Sequence, residues 1–153
     1  MATDGTGLLS TPHAGEIALA PGQGPASVAG AIDISGADRI AHGVLAVTDA
    51  ELVARLASEQ ICLDICPTSN VLLSAFPSIA EHPLPDLLAA GVPCSLGSDD
   101  PLLFGPGLLE EYELYRAERG LDDHQFARLT KASFAHSGAP TQLRDAGVQA
   151  VDK

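Results

Sequence analysis

Three short polar patches, each closing a short apolar run, hold the residues that could do chemistry: His13-Ala14-Gly15-Glu16, His42-Gly43 and Ser98-Asp99-Asp100-Pro101. Imidazoles and carboxylates in this combination suit metal-assisted hydrolysis, in which ligands hold a cation that acidifies water while an acid and a base lie within hydrogen-bond reach. Gly15 lets the backbone turn tightly, so that His13 and Glu16 can face one cavity. Asp99 and Asp100 set two like charges side by side, an arrangement that a cation or a hydrogen-bonding ligand relieves. Each patch also has a plainer reading: a solvated turn for His13 and Glu16, a core histidine for His42, a helix-capping turn for Asp99-Asp100-Pro101. The three plain readings would all have to hold at once.

The elements that position these patches follow from periodicity. Short apolar runs alternate with longer amphipathic ones from residue 8 to about 135, which is the pattern of βα units. Strands are expected at residues 8–11, 39–42, 61–65 and 92–96, with Pro93 suited only to a first strand position. Helices are expected at 25–34 with Pro25 at its first position, at 84–90 stopped by Gly91, at 108–118 and at 123–135. A capping box, Thr48 with Glu51, opens another helix that runs to about residue 59, with Leu52, Val53 and Leu56 on one face. The stretch between Pro67 and Pro77 reads as a loop, and residues 140–153 as mixed and weakly patterned. The fold class is therefore α/β, a partial (βα) barrel of about four parallel strands with flanking helices. His13, His42, Cys66-Pro67-Thr68-Ser69-Asn70 and Asp99-Asp100 all follow strand carboxyl ends, where parallel α/β folds place their sites.

The bulk numbers bound the class. A length of 153 residues fits one domain and falls short of the ~250 residues of a closed (β/α)8 barrel. With 46% hydrophobic and 18% charged residues, and no apolar run long enough to span a bilayer, a soluble globular chain is expected and a membrane partner is not. Met1 to Gly7 carry no basic segment before an apolar one, so no secretory leader is expected. A formal charge of -12, with eight Lys and Arg in all, argues against a nucleic-acid partner. Cys62, Cys66 and Cys94 are an odd set at no zinc-ribbon spacing, expected as buried, reduced core residues of a cytoplasmic protein.

Taken in order, His13-Ala14-Gly15-Glu16, Arg39-Ile40-Ala41-His42-Gly43, Cys66-Pro67-Thr68-Ser69-Asn70 and Ser95-Leu96-Gly97-Ser98-Asp99-Asp100-Pro101 resemble the adenosine deaminase family over roughly residues 8 to 140. The resemblance implies a zinc-dependent aminohydrolase that replaces the 6-amino group of an adenine-type purine with oxygen, giving the inosine-type product and ammonia. It implies His13 and Asp99 as zinc ligands, Glu16 as the residue that protonates the purine ring nitrogen, and His42 as the base that orients and deprotonates the zinc-bound water. Asp100 then hydrogen-bonds the purine, and Gly15 lets the motif approach the ring. A small purine nucleoside is the partner implied. Adenosine, deoxyadenosine, adenine and aminodeoxyfutalosine all carry the reacting group. The His-x-Glu and Pro-Cys-x-x-Cys pattern of cytidine-type deaminases is absent, with Cys62 and Cys66 one residue too far apart.

Two departures shape the expectation. Family members open with a His-x-His pair of further zinc ligands, and no His-x-His occurs in this chain; Gly97-Ser98 stands where Asn-Thr is frequent and Ala41 where Gly is. Residues 1–153 are thus expected to be a single deaminase-like domain truncated on its N-terminal side. A homodimer or larger assembly is expected, because the open half-barrel leaves Val, Ile and Leu to bury, with little dependence on salt; the alternative to an enzyme is a non-catalytic remnant or self-associating half-barrel.

Overall fold

The computed structural model describes residues 8–152; the leader expectation concerns Met1 to Gly7 and lies outside them. Four strands, β1 (His13–Ala14), β2 (Arg39–His42), β3 (Cys62–Ile65) and β4 (Cys94–Leu96), form one parallel sheet in the order β1-β2-β3-β4. The register aligns His13 with Ala41, Ile40 with Leu63, and Asp64 with Ser95. Helices α1 (Gln23–Asp33), α2 (Ala50–Glu59), α3 (Pro67–Leu72) and α4 (Leu84–Ala89) lie between the strands. After β4 follow α5 (Pro101–Phe104), α6 (Leu108–Arg119), α7 (Asp123–Ala135) and α8 (Thr141–Val151).

The first strand is the main departure from expectation. It lies at His13–Ala14 rather than residues 8–11, because Pro12 has no N–H to complete the ladder. The preceding residues still run beside β2: the carbonyls of Ser10 and Pro12 accept from Asp38 N and Ala41 N at 2.9 and 3.0 Å. Pro93 likewise precedes β4 and contributes only its carbonyl, which accepts from Leu63 N at 2.9 Å.

Helix α1 begins at Gln23, two residues before the expected start. Helix α2 is capped not by Thr48 but by Asp49, whose Oδ1 accepts from Glu51 N and Leu52 N at 3.0 and 3.1 Å. Thr48 closes a 3-10 turn, Val44–Thr48, and its hydroxyl donates to Leu45 O at 2.9 Å. The stretch expected as loop contains α3, and the weakly patterned tail forms α8, which packs on α7. Gly147 makes that packing possible, since a Cβ there would stand 2.3 Å from the Phe134 ring.

The core lies on one face of the sheet. Ile40, Leu63, Ile65, Cys94 and Leu96 are buried there with Val28 and Ala31 of α1, Leu52 and Leu56 of α2, and Leu84 and Leu87 of α4. The opposite face corrects the expectation of an exposed apolar sheet. It carries Arg39, Asp64 and Ser95 in one network: Arg39 Nε donates to Asp64 Oδ2 at 3.1 Å, a second bond joins Arg39 Nη2 to Asp64 Oδ1, and Ser95 Oγ donates to the same oxygen at 2.6 Å. Many of the exposed large apolar side chains instead lie in the segments after the strands, among them Ile17, Leu19, Leu72, Leu73, Leu102, Leu103, Leu108 and Leu109.

All three cysteines are buried and unpaired by disulfides, as expected. Burial pushes the thiols of Cys62 and Cys66 up to about 12, so they stay protonated at neutral pH. Among the described residues, no helix is long and apolar enough to cross a membrane.

Candidate active site

The carboxyl ends of β1, β2 and β4 converge. His13 lies in β1, and Gly15 immediately after it holds a left-handed turn at φ +62° that no side chain could fit, because a Cβ would meet Val28 Cγ2 at 2.4 Å. Ser27 Oγ accepts from Gly15 N at 2.8 Å and ties the turn to α1. The turn throws Glu16 back over the sheet, where its Oε1 lies 3.2 Å from His42 Nδ1.

His42 ends β2 at φ +67° and Asp99 follows β4 at φ +56°. Left-handed backbone at a histidine and an aspartate costs of the order of 1 kcal/mol or more each and gathers at functional positions. Here both bends aim side chains at one spot. One ligand atom each of Glu16, His42 and Asp99 lie within 4.8 Å of one another, and the His13 ring tilts against that of His42 with centroids 5.2 Å apart.

The electrostatics follow from this crowding. Burial, then the charge of Asp99, raises the Glu16 carboxyl above the ordinary carboxylate range, with His13 and Asn70 pulling the other way. Burial lowers His42, only partly opposed by Asp99, so its imidazole is biased to the neutral form. The two shifts run in the directions an acid and base pair needs, the carboxyl toward its protonated form and the imidazole toward its neutral one.

Asn70 is the residue that sequence reasoning missed. It belongs to the Cys66-Pro67-Thr68-Ser69-Asn70 motif, yet no role attached to it. Fully buried on α3, its Nδ2 lies 3.3 Å from Glu16 Oε1 and 3.2 Å from His42 Nδ1. The signal was a polar residue five positions beyond a buried strand, in a stretch that looked like loop. Asp100 stands apart from the others: its Oδ1 accepts from Leu102 N and Leu103 N at 2.9 and 3.3 Å and caps α5.

The site suits a metal ion, since the mutual repulsion of Glu16 and Asp99 is what a cation beside them would relieve. Of the two expected ligands, Asp99 lies in the 4.8 Å cluster, whereas His13 stands beside that cluster with its ring against that of His42.

A family model described as adenosine deaminase matches residues 2–153. The adenine deaminase of Rhizobium meliloti is 45% identical over 127 residues, which cover 83% of this chain and 38% of that protein. Among solved structures, the adenine deaminase of Arthrobacter aurescens superposes with a TM-score of 0.88 at 33% identity, over 95% of this chain and 43% of that one. An amidohydrolase from Burkholderia ambifaria with bound Zn gives 0.83 at 25% identity, over 95% of this chain and 40% of that one. The chain spans about two fifths of the length of the relatives it matches.

Proposed function

The chain belongs to the adenosine deaminase family, a family of enzymes, and from that premise we propose that Glu16, His42 and Asp99 form the centre of a hydrolytic deamination of a 6-aminopurine. The observation that carries this reading is the meeting of Glu16, His42 and Asp99 within 4.8 Å. The relatives named adenine deaminase favour adenine as the first substrate to assay, with adenosine, deoxyadenosine and aminodeoxyfutalosine as bearers of the same ring.

His13 and Asp99 would hold zinc, whose contribution when bound is Lewis-acid activation of the attacking water. Glu16 and His42 move the protons. As the water oxygen bonds to C6, one of its protons passes to His42, and the electron density displaced onto the adjacent ring nitrogen takes the proton of Glu16. When the C6–N bond breaks, the proton on His42 leaves with ammonia. The remaining proton of the water returns to Glu16 as the C6 carbonyl forms, so both residues end as they began. Gly15 keeps the ring side of this pair free of a side chain, and Asp100 offers its second carboxylate oxygen to the purine.

The test is turnover of adenine by the chain supplied with Zn2+, read as ammonia release. Glu16→Gln is expected to lower turnover by about two to four orders of magnitude with metal content unchanged, because it removes an acid but no ligand. Asp99→Ala is expected to lose the metal as well. Turnover unchanged in both variants would refute these roles.

A second reading rests on a different observation. Leu102 and Leu103 are 101% and 73% exposed, and exposed apolar clusters of this kind mark association surfaces. In that reading the four-stranded sheet is a non-catalytic half that pairs with another chain.

A further inference from the structure

Behind the Glu16 and His42 pair lies a buried chain of polar side chains that the mechanism above does not use. Asn70, His82 and Tyr115 come from α3, the 3-10 turn Ile79–Glu81 with its following residue, and α6. All three are essentially inaccessible to solvent.

The direction of each hydrogen bond follows from one obligatory donor. Leu84 N lies 3.3 Å from His82 Nδ1, and a backbone N–H can only donate, so Nδ1 is an acceptor. Tyr115 Oη, 2.5 Å from the same nitrogen, is therefore also a donor. Burial holds the ring neutral, its pKa pushed down to about 3. Its single proton thus resides on Nε2, which lies 3.2 Å from Asn70 Oδ1 and donates to it. With its oxygen committed to His82, Asn70 can only turn its NH2 group to the other side, toward Glu16 Oε1 and His42 Nδ1.

The alternative orientation of the amide would oppose His82 Nε2–H with a second donor and leave that buried N–H unpaired. The order seen avoids this clash. With Asn70 donating to Oε1 and the Nδ1–H of neutral His42 donating to the same oxygen from 3.2 Å, the Glu16 proton is left to Oε2 and the His42 lone pair to Nε2, where a base must have it.

We propose that Tyr115, His82 and Asn70 form a positioning chain that locks the Asn70 amide with its N–H groups toward Glu16 and His42, and so sets which oxygen of Glu16 serves as acid. The proposal rests on the reading of Glu16 and His42 as the reacting pair, while its test does not depend on turnover.

The test is 15N NMR of the five histidines in the full chain, whose ring-nitrogen shifts report tautomer directly. In the unsubstituted chain His82 is expected as the neutral Nε2–H form. In His82→Leu, which leaves Asn70 Oδ1 without its donor, the amide is released and the His42 ring-nitrogen resonances are expected to move. In His82→Gln, whose amide nitrogen can donate from the same place, they are expected to return to their original positions. A protein merely loosened by the substitution would move in both variants alike. His82 found as Nδ1–H or as a cation, or a folded His82→Leu with unmoved His42 resonances, would overturn the chain. Should His82→Leu not fold, the tautomer of the unsubstituted protein decides. Where turnover is measurable, His82→Leu is expected to lower kcat about 10- to 100-fold with little change in KM, and His82→Gln to recover most of it. Absence of turnover in the unsubstituted chain would count against the deaminase reading and leave the NMR result standing.

Discussion

At the scale of single residues, the site depends on backbone that other side chains cannot adopt. A methyl at Gly15 would stand 2.4 Å from Val28 Cγ2 and 3.3 Å from Gly43 Cα, on backbone at φ +62°. Strain and overpacking then act together, and Gly15→Ala is expected to destabilise the fold by about 2 to 4 kcal/mol in urea unfolding. Because Gly15 lies between His13 and Glu16, the same variant should impair turnover more than a core substitution of equal cost, such as one at Leu56. Equal losses would mean that the turn matters only for stability.

At the scale of elements, Asp49 and Thr48 offer a clean contrast. Asp49 accepts from two backbone N–H groups of α2, whereas Thr48 bonds back to Leu45 O. Asp49→Ala is expected to cost about 1 kcal/mol and Thr48→Ala less than about 0.5 kcal/mol, by thermal or urea unfolding. The Thr48–Glu51 pattern pointed to the right helix and the wrong cap, since Asp49 offers the same chemistry one residue on. Most of the sheet was readable because β2 and β3 are short apolar runs whose periodicity needs no tertiary context. The order of the patches and their place at strand carboxyl ends were readable for the same reason. Strand β1 was not, because whether Leu8 to Thr11 join a ladder depends on Pro12 and on pairing with β2. Helix α3 hid behind Pro67, Thr68 and Ser69, residues that suit a helix start as well as a turn. Helix α8 hid because its docking relies on Gly147 lying against Phe134, a contact with no periodic signature. The link from Asn70 to His82 spans 12 positions and that from His82 to Tyr115 spans 33, so neither could be read locally.

At the scale of the whole molecule, stability should fall with acid through His82. Its folded pKa, depressed to about 3, lies below the ordinary 6.5 of an unfolded histidine. The unfolded chain binds the extra proton in that window, so stability is full above about pH 6.5 and is lost as pH falls toward 3, by a few kcal/mol in all. Chemical unfolding from pH 7 to pH 4 checks this, with His82→Gln expected to show a shallower loss than the unsubstituted chain. Association is the other molecular property at stake. Sedimentation at micromolar concentrations is expected to give dimers or larger species, and replacing both exposed side chains, Leu102→Ser with Leu103→Ser, is expected to shift them toward monomer. A chain that stays monomeric throughout would remove the second functional reading.

The strand order β1-β2-β3-β4 repeats the order of the chain itself, so each strand leaving the ribosome meets its partner already made, and closing each pairing costs one βα loop rather than a distant search. Glu16 and His42 belong to the first two strands and their turns, whereas Asp99 follows the last strand. In a chain that folds as it is made, the strands bearing Glu16 and His42 can pair before Asp99 is synthesised, and the positioning residue Tyr115 on α6 comes later still, so the complete site would form as a closing event of folding rather than as its nucleus.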